Sequence, residues 1–321
     1  MVLLSDNFDE DETTATAYVC EIEHGLIPSI RTVLDKVGFE HIHPFYAVDA
    51  LRQRLKSEMP DLLIVDYEME DPAEVIALVR DVRLGRVGTN PFLPIIGSIW
   101  RPNQFAINRM INAGVDSYFS KPMNDIMLGE LVEKMVLNQN PFIVTSNYIG
   151  PDRRGEDDRL TLIPMVEAPN VLGTKFIKTS GKPKSPSKQI ERALGRLNQI
   201  RLMRYGVEFM VLAARLRFTI TDGDYQELER ILSRFYEILR DILNRFNALP
   251  TKEQQLLNHN VFDHLNVILN ELYSVRDDID QALFDRLEAT CLQAALILNP
   301  ERSVSSIQLE VEQSINPIKL S

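Results

Sequence analysis

Cysteine is nearly absent from this chain. Only Cys20 and Cys291 occur in 321 residues, far apart, and they offer no disulfide framework; free thiols in a reducing compartment are the simpler expectation. Long apolar runs are missing as well, since none approaches the roughly 18 to 20 residues that span a bilayer. The N-terminal MVLLSDNFDEDE turns acidic at once and has no basic stretch ahead of a long apolar one, so it lacks the pattern of a secretory signal. A cytoplasmic location without membrane attachment is the default that follows. Positive charge is in deficit, with a formal net charge of −11, which argues against nucleic acid as a partner of the whole chain and leaves a local basic patch open. No Walker loop, dinucleotide fingerprint or nucleophile elbow is present, so the expectation is that the protein is not an enzyme.

What is present is the composition of a globular protein, 45% hydrophobic and 25% charged, in a length sufficient for two domains with separate cores. Strand and helix patterns alternate after an acidic tail. Strands are predicted over 17–23, 41–46, 62–65, 93–99 and 116–120, and helices over 27–37, 48–59, 72–84, 103–113 and 125–137. Pro28 suits a first helical turn and Gly38 a helix stop. The unbroken apolar run Leu62-Leu63-Ile64-Val65 marks a strand buried on both faces. Such a series predicts an α/β fold: a five-stranded doubly wound parallel sheet that reacts at the carboxyl ends of its strands.

Farther on, the pattern changes. The stretch 141–186, with YIGPDRRGEDDR and SGKPKSPSK, reads as a linker with room for one short ordered piece. Helical periodicity then predicts four helices over 189–217, 225–246, 251–275 and 279–298, with Gly206 a possible kink in the first. Short connections make an antiparallel all-α bundle the natural outcome. The expected organisation is an acidic tail 1–15, an α/β domain 16–140, a linker 141–186, a bundle 187–300 and a C-terminal tail 301–321.

The chemistry concentrates at two strand ends. In DLLIVDYEM the third strand ends in Asp66, at the mouth of the sheet. The fifth ends in Ser120-Lys121-Pro122, where a lysine can neutralise a phosphoryl oxygen. Together with AGVDSYFSKP and the five ordered units, these residues resemble the receiver domain of two-component response regulators, the family of the chemotaxis regulator CheY. The resemblance covers about Ala17 to Gln139. It implies Asp66 as phosphoacceptor, Lys121 as the lysine that supports it, and Tyr118 as the switching aromatic. It also implies Mg²⁺ held by Asp66, an acid at the end of the first strand and the backbone carbonyl of Glu68. Phosphoryl transfer of this kind works by positioning and charge neutralisation.

This sequence departs from the family at two points. Counting back from Gly38-Phe39, the family's acidic pair falls on Glu21 and Ile22, so one carboxylate remains; Glu23 shares the strand face of Glu21. Counting back from Lys121, the switch hydroxyl falls on Ile99. Ser98 is one residue off and would face the other way unless the strand bulges.

Weaker signals remain. His264, and His259 before it, lie on a bundle helix, but LNVILNEL after His264 is too bulky and neutral for a phosphotransfer site. His24, His41 and His43 show no metal spacing. Lys182, Lys184, Lys188, Arg192, Arg196, Arg201, Arg204, Arg215 and Arg217 make a basic run that reads as a solvated or protein-docking face, with no helix-turn-helix spacing. Arg153-Arg154 reads as a turn with surface salt bridges, and Trp100 as a partner anchor or a packing residue. The combined expectation is a response regulator that accepts a phosphoryl group on Asp66 from a histidine kinase or phosphotransfer protein. Its helical part would then signal through a downstream protein partner, with a homodimer possible. A phosphorylation-independent pseudo-receiver scaffold and a DNA-binding regulator are the alternatives.

Overall fold

A computed structural model describes residues 14–154, 164–177, 185–247, 259–275 and 280–315. The acidic segment 1–13, residues 155–159 of the YIGPDRRGEDDR stretch, Lys182, Lys184 and the first part of the third predicted bundle helix lie outside the described residues. The chain divides into two compact units, one ending at Arg196 and one beginning at Leu197.

The first unit holds the expected series: β1 (Thr16–Cys20), α1 (Ile27–Val37), β2 (His41–Phe45), α2 (Val48–Ser57), β3 (Leu62–Asp66), α3 (Pro72–Arg83), β4 (Ile95–Ile99), α4 (Gln104–Ala113), β5 (Ser117–Ser120) and α5 (Asp125–Leu137). All strands are parallel in the order β2-β1-β3-β4-β5, the doubly wound order of flavodoxin and CheY. Local chemistry sets the helix ends. Asn103 and Asn124 side chains accept from the first-turn amides of α4 and α5. Gly38 and Gly114 close α1 and α4 at φ 113° and 103°, a region that favours glycine.

Strand alternation sorts the core into two layers. Tyr18, Leu63, Val65, Ile95 and Ile99 face α2, α3 and α4, while Ala17, Val19, Leu62, Ile64, Ile96 and Phe119 face α1 and α5. Arg83, at the end of α3, is buried and fully engaged. Its guanidinium donates to the carbonyls of Gly114 (2.8 Å), Pro91 (2.7 Å) and Leu93 (2.7 Å) and pairs with Asp116 at 2.6 Å. Asp116 in turn accepts from the Ile95 amide at 2.7 Å, so one ion pair sets where β4 and β5 begin.

The expected linker 141–186 is instead largely part of this unit. Strands β6 (Phe142–Val144), β7 (Ile149–Pro151) and β8 (Met165–Val166) form a second, antiparallel sheet in the order β7-β6-β8. Helix α6 (Val171–Phe176) follows, with Leu172 fully buried in the α1/α5 layer and the Phe176 ring 5.2 Å from that of Phe39. Lys175 anchors it, donating to the Thr14 carbonyl (2.6 Å) and to Asp61 (2.8 Å). Ala15, expected in the tail, is buried in the same layer. The polar composition of 141–186 hid these contacts because only a few apolar residues make them.

The second unit contains the rest of α7 (Pro186–Asp222), with α8 (Tyr225–Asn247), α9 (His259–Ser274), α10 (Gln281–Leu298) and α11 (Val304–Ile315). The expected bundle helices are present, and the expected tail carries the additional α11, whose Ile307 and Val311 bury against Val207 and Ala295. Helix α7 runs through Gly206 without a break. A Cβ there would meet Ala295 of α10 at 3.0 Å, so the glycine serves close helix approach rather than a kink. No helix among the described residues is long and apolar enough to cross a membrane.

If α6 completes the core of the first unit, Leu172→Ala lowers the stability of that unit by about 2–5 kcal/mol, the range for a large-to-small core change. Urea unfolding of the full chain, followed by a signal from the sheet unit, measures it; a change below about 0.5 kcal/mol, the level of ordinary surface substitutions, would mean α6 is peripheral.

Candidate functional site

The site forms where four strands end on the same face. Residues Ala17 and Val19 put Glu21, just past β1, on the α1/α5 side; Leu62 and Ile64 do the same for Asp66, Ile96 for Ser98, and Phe119 for Lys121. Register completes the convergence, because Asp66 of β3 stands directly beside Ser98 of β4.

Lys121 lies at the centre. Its Nζ is 2.8 Å from Glu21 Oε1 and 2.7 Å from Asp66 Oδ2, and all three side chains are 0% exposed. Glu21 Oε1 also accepts from the Glu23 amide at 3.1 Å, and Glu21 Oε2 accepts from the Ser98 hydroxyl at 3.0 Å. Asp66 Oδ1 accepts from the Glu68 amide at 2.9 Å. Asp66 Oδ2 has the Lys121 charge beside it but no aligned hydrogen bond. The Lys121–Pro122 peptide is cis.

Burial pushes the Glu21 carboxyl above its ordinary value; the hydrogen bond from Lys121 opposes the rise and the Asp66 carboxylate adds to it. Two carboxylates around one ammonium away from water carry an excess negative charge, and a proton on Glu21 relieves it. The same burial, with the Asp66 and Glu21 charges next to it, pushes the Cys20 thiol up to about 12, so it is no nucleophile at neutral pH.

The residues singled out from sequence therefore fall into groups. Asp66 and Lys121 lie together at the carboxyl edge of the sheet, and Glu21, read from sequence only as a metal ligand, reaches the same lysine; although the sequence places Asp66 at the mouth of the sheet, neither Asp66 nor Lys121 is open to solvent. Ser98, not Ile99, supplies the hydroxyl. Ile99 packs in the α2/α3/α4 core, and no bulge is needed, because β4 aligns Ser98 with Asp66. The alternation Ile96-Ser98 carried that signal, and counting from Lys121 missed it by one residue. Tyr118 is 38% exposed on the opposite strand face. Glu68 has a side-chain role that the sequence did not suggest: Oε2 accepts from the Trp100 amide at 2.7 Å, tying the loop after β3 to the loop after β4.

The Mg²⁺ implied by the resemblance finds a poor match. Its ligands are hard oxygens at near-ideal octahedral geometry. Here three of the four carboxylate oxygens accept protein hydrogen bonds and the fourth faces the ammonium. Ile22, at the second acidic position, is an exposed hydrocarbon. No group of three His, Cys, Asp or Glu placed to hold a metal occurs among the described residues. As arranged, the donor set does not fit a divalent ion.

Elsewhere, His24 stacks on Tyr46, His43 meets Tyr18 edge-on and His264 is on an exposed face of α9. The four arginines of the basic run that lie in the second unit are all paired within it: Arg201 with Asp241 (3.1 Å), Arg204 with Glu310 (2.5 Å), Arg217 with Glu288 (3.2 Å) and Arg215 with Glu227. Arg154 pairs with the buried Asp152 at 2.9 Å, close to the expected turn with salt bridges.

No family model matches the chain, and no curated protein does. Solved structures similar to its N-terminal part include response-regulator receiver domains. A response regulator from Thermotoga maritima is 22% identical, with 39% of this chain and 99% of that one covered and a TM-score of 0.35. A CheY-like receiver domain protein from Methanospirillum hungatei is 18% identical, with 38% and 92% covered and a TM-score of 0.34. The chemotaxis regulator CheY4 of Vibrio cholerae is 14% identical, with 38% and 98% covered and a TM-score of 0.34. The fold of this part stands on its own strand order, independently of these likenesses.

The raised Glu21 value has a consequence for stability. Unfolded, a glutamate titrates near about 4.3, and folded Glu21 holds its proton to higher pH. Folding thus takes up a proton between the two values, so the stability of the first unit falls as pH rises through that window. Glu21→Gln mimics the protonated form and flattens this part of the profile. Urea midpoints against pH for both proteins check it; parallel profiles would assign the slope to other groups.

Proposed function

We propose that residues 14–137 act as a receiver-type signalling module whose acid site is held closed, so that the protein works as a phosphorylation-independent scaffold. The reading is carried by one observation: the Lys121 ammonium bridges Glu21 and Asp66 with all three side chains buried. Forming an acyl phosphate needs a donor phosphorus in line with an Asp66 oxygen, and in this arrangement no donor reaches one. The Ser98 hydroxyl, which would steady a phosphoryl group, is spent on Glu21 at 3.0 Å. Ile22 removes the second acid. A domain locked this way presents a constant surface to a protein partner.

The helical unit is the part proposed to engage a downstream protein or a second copy of the chain. Its arginines are largely committed to internal ion pairs, which weakens a DNA-binding role. Phosphorylation of Asp66 is the second reading, favoured by the 2.7 Å approach of Lys121 to Asp66 at the carboxyl edge of a parallel sheet. It requires Glu21 to leave first.

The full chain incubated with acetyl phosphate and Mg²⁺ separates the two by intact mass. A receiver domain known to accept phosphate, run alongside, sets the sensitivity. Wild type and Asp66→Asn are expected to show no phosphoryl increment. An increment on wild type that Asp66→Asn lacks would replace the scaffold reading with the phosphoacceptor.

A further inference from the structure

We infer that the outer stripe of α8 is a self-association surface, on which a second copy of this chain packs α8 against α8 in antiparallel orientation. The inference rests on the proposed role of the helical unit as the part that engages another protein, and it names that partner and the face it uses.

Helix α8 carries two seams. One, with Leu228, Ile231, Phe235, Leu239 and Ile242, is buried in the core of its own unit. The other runs through Glu229, Ser233, Tyr236, Arg240 and Leu243, at steps of 4, 3, 4 and 3 residues. A 3.5-residue period of this kind keeps one helix in contact with another along its length. Tyr236 is half-buried and the other four are exposed. Tyr225, one turn before Glu229 on the same stripe, is 55% exposed, and Val267 and Tyr273 on α9 are exposed to a similar degree. The Tyr236 hydroxyl donates to Asn270 of α9 at 2.7 Å, so α8 and α9 present one continuous face. Apolar groups gathered on an exposed face mark an association site.

Charge selects the partner and its direction. Glu229 and Arg240 stand 11 residues, about three turns, apart on the stripe. In an antiparallel pair with its two-fold axis between Arg234 and Phe235, Glu229 of each copy faces the partner's Arg240. The same axis sets Tyr236 opposite Ser233, a large ring against a small side chain, and Leu243 opposite Gln226. Every contact is then its own reciprocal, as an isologous interface requires. A parallel pair would instead set glutamate against glutamate and arginine against arginine, which disfavours it. Size is sufficient as well. Helix α8 has 23 residues, a length of about 34 Å, and with α9 beside it the face is about 20 Å wide. That offers roughly 700 Å² on each copy, and a specific interface needs about 1,000 Å² in total.

Sedimentation velocity of the full chain over a concentration series tests the proposal. Wild type is expected to pass from monomer to dimer. Glu229→Arg alone places like charges at both contacts, and so does Arg240→Glu alone; each is expected to raise the dimer Kd about tenfold at low salt, since exposed pairs are individually weak. An equal mixture of the two single variants makes both contacts attractive again, so it is expected to dimerise about as tightly as wild type. The exchanged variant Glu229→Arg/Arg240→Glu is expected to do the same, and recovery in either shows that the substituted chains are folded. A wild type that stays monomeric would overturn the proposal. So would a dimer that neither single variant weakens, or weakening that neither the mixture nor the exchanged variant reverses. Those results remove this inference alone and leave a downstream protein as the partner of the helical unit. A phosphoryl increment on Asp66 would replace the scaffold reading and leave the dimer expectation unchanged.

Discussion

The first unit is organised around two carboxylates and one ammonium held away from water. Desolvating such groups costs several kcal/mol per ion, and only close, well-partnered geometry offsets it. That requirement fixes much else. The ends of β1, β3, β4 and β5 must converge on one face, and Ser98, Glu23 and Glu68 must turn a hydroxyl and two amides toward the acids. Removing one partner of such a cluster typically costs about 3–5 kcal/mol, because the charge left behind stays buried. The arrangement is therefore strongly specified even where its net contribution to stability is small.

A second buried ion pair plays the matching role at the opposite ends of the strands. Arg83 and Asp116 bind the loops that precede β4 and β5, and the Phe142 ring lies 5.1 Å from the guanidinium carbon. Through Phe142 the small antiparallel sheet joins the same assembly, and through Leu172 helix α6 joins the α1/α5 layer. The first unit is accordingly larger than ten alternating elements. Its edges lie in segments whose composition looks like that of a linker.

The helical unit follows a different logic. Its core is a continuous apolar interior from α7 to α10, and Gly206 lets α7 and α10 approach to backbone contact. Arginines that look like a basic face in one dimension are neutralised in three by acids from α8, α10 and α11. Charge run and charge surface are thus different properties, and only the second bears on a partner.

Sequence alone determined the alternation of strands and helices, because apolar periodicity, capping asparagines and stop glycines are local signals. It also determined that Asp66 and Lys121 end their strands, which is a matter of position along the chain. What it could not decide was whether those side chains are open or sealed. That depends on Glu21 reaching across to Lys121, a contact between residues 100 apart in the chain. Nor could it decide between Ser98 and Ile99, since the register of β3 against β4 is set by pairing between strands and not by spacing within one. Only the tertiary structure makes those choices, because burial and register belong to the packed sheet and to no single segment of it.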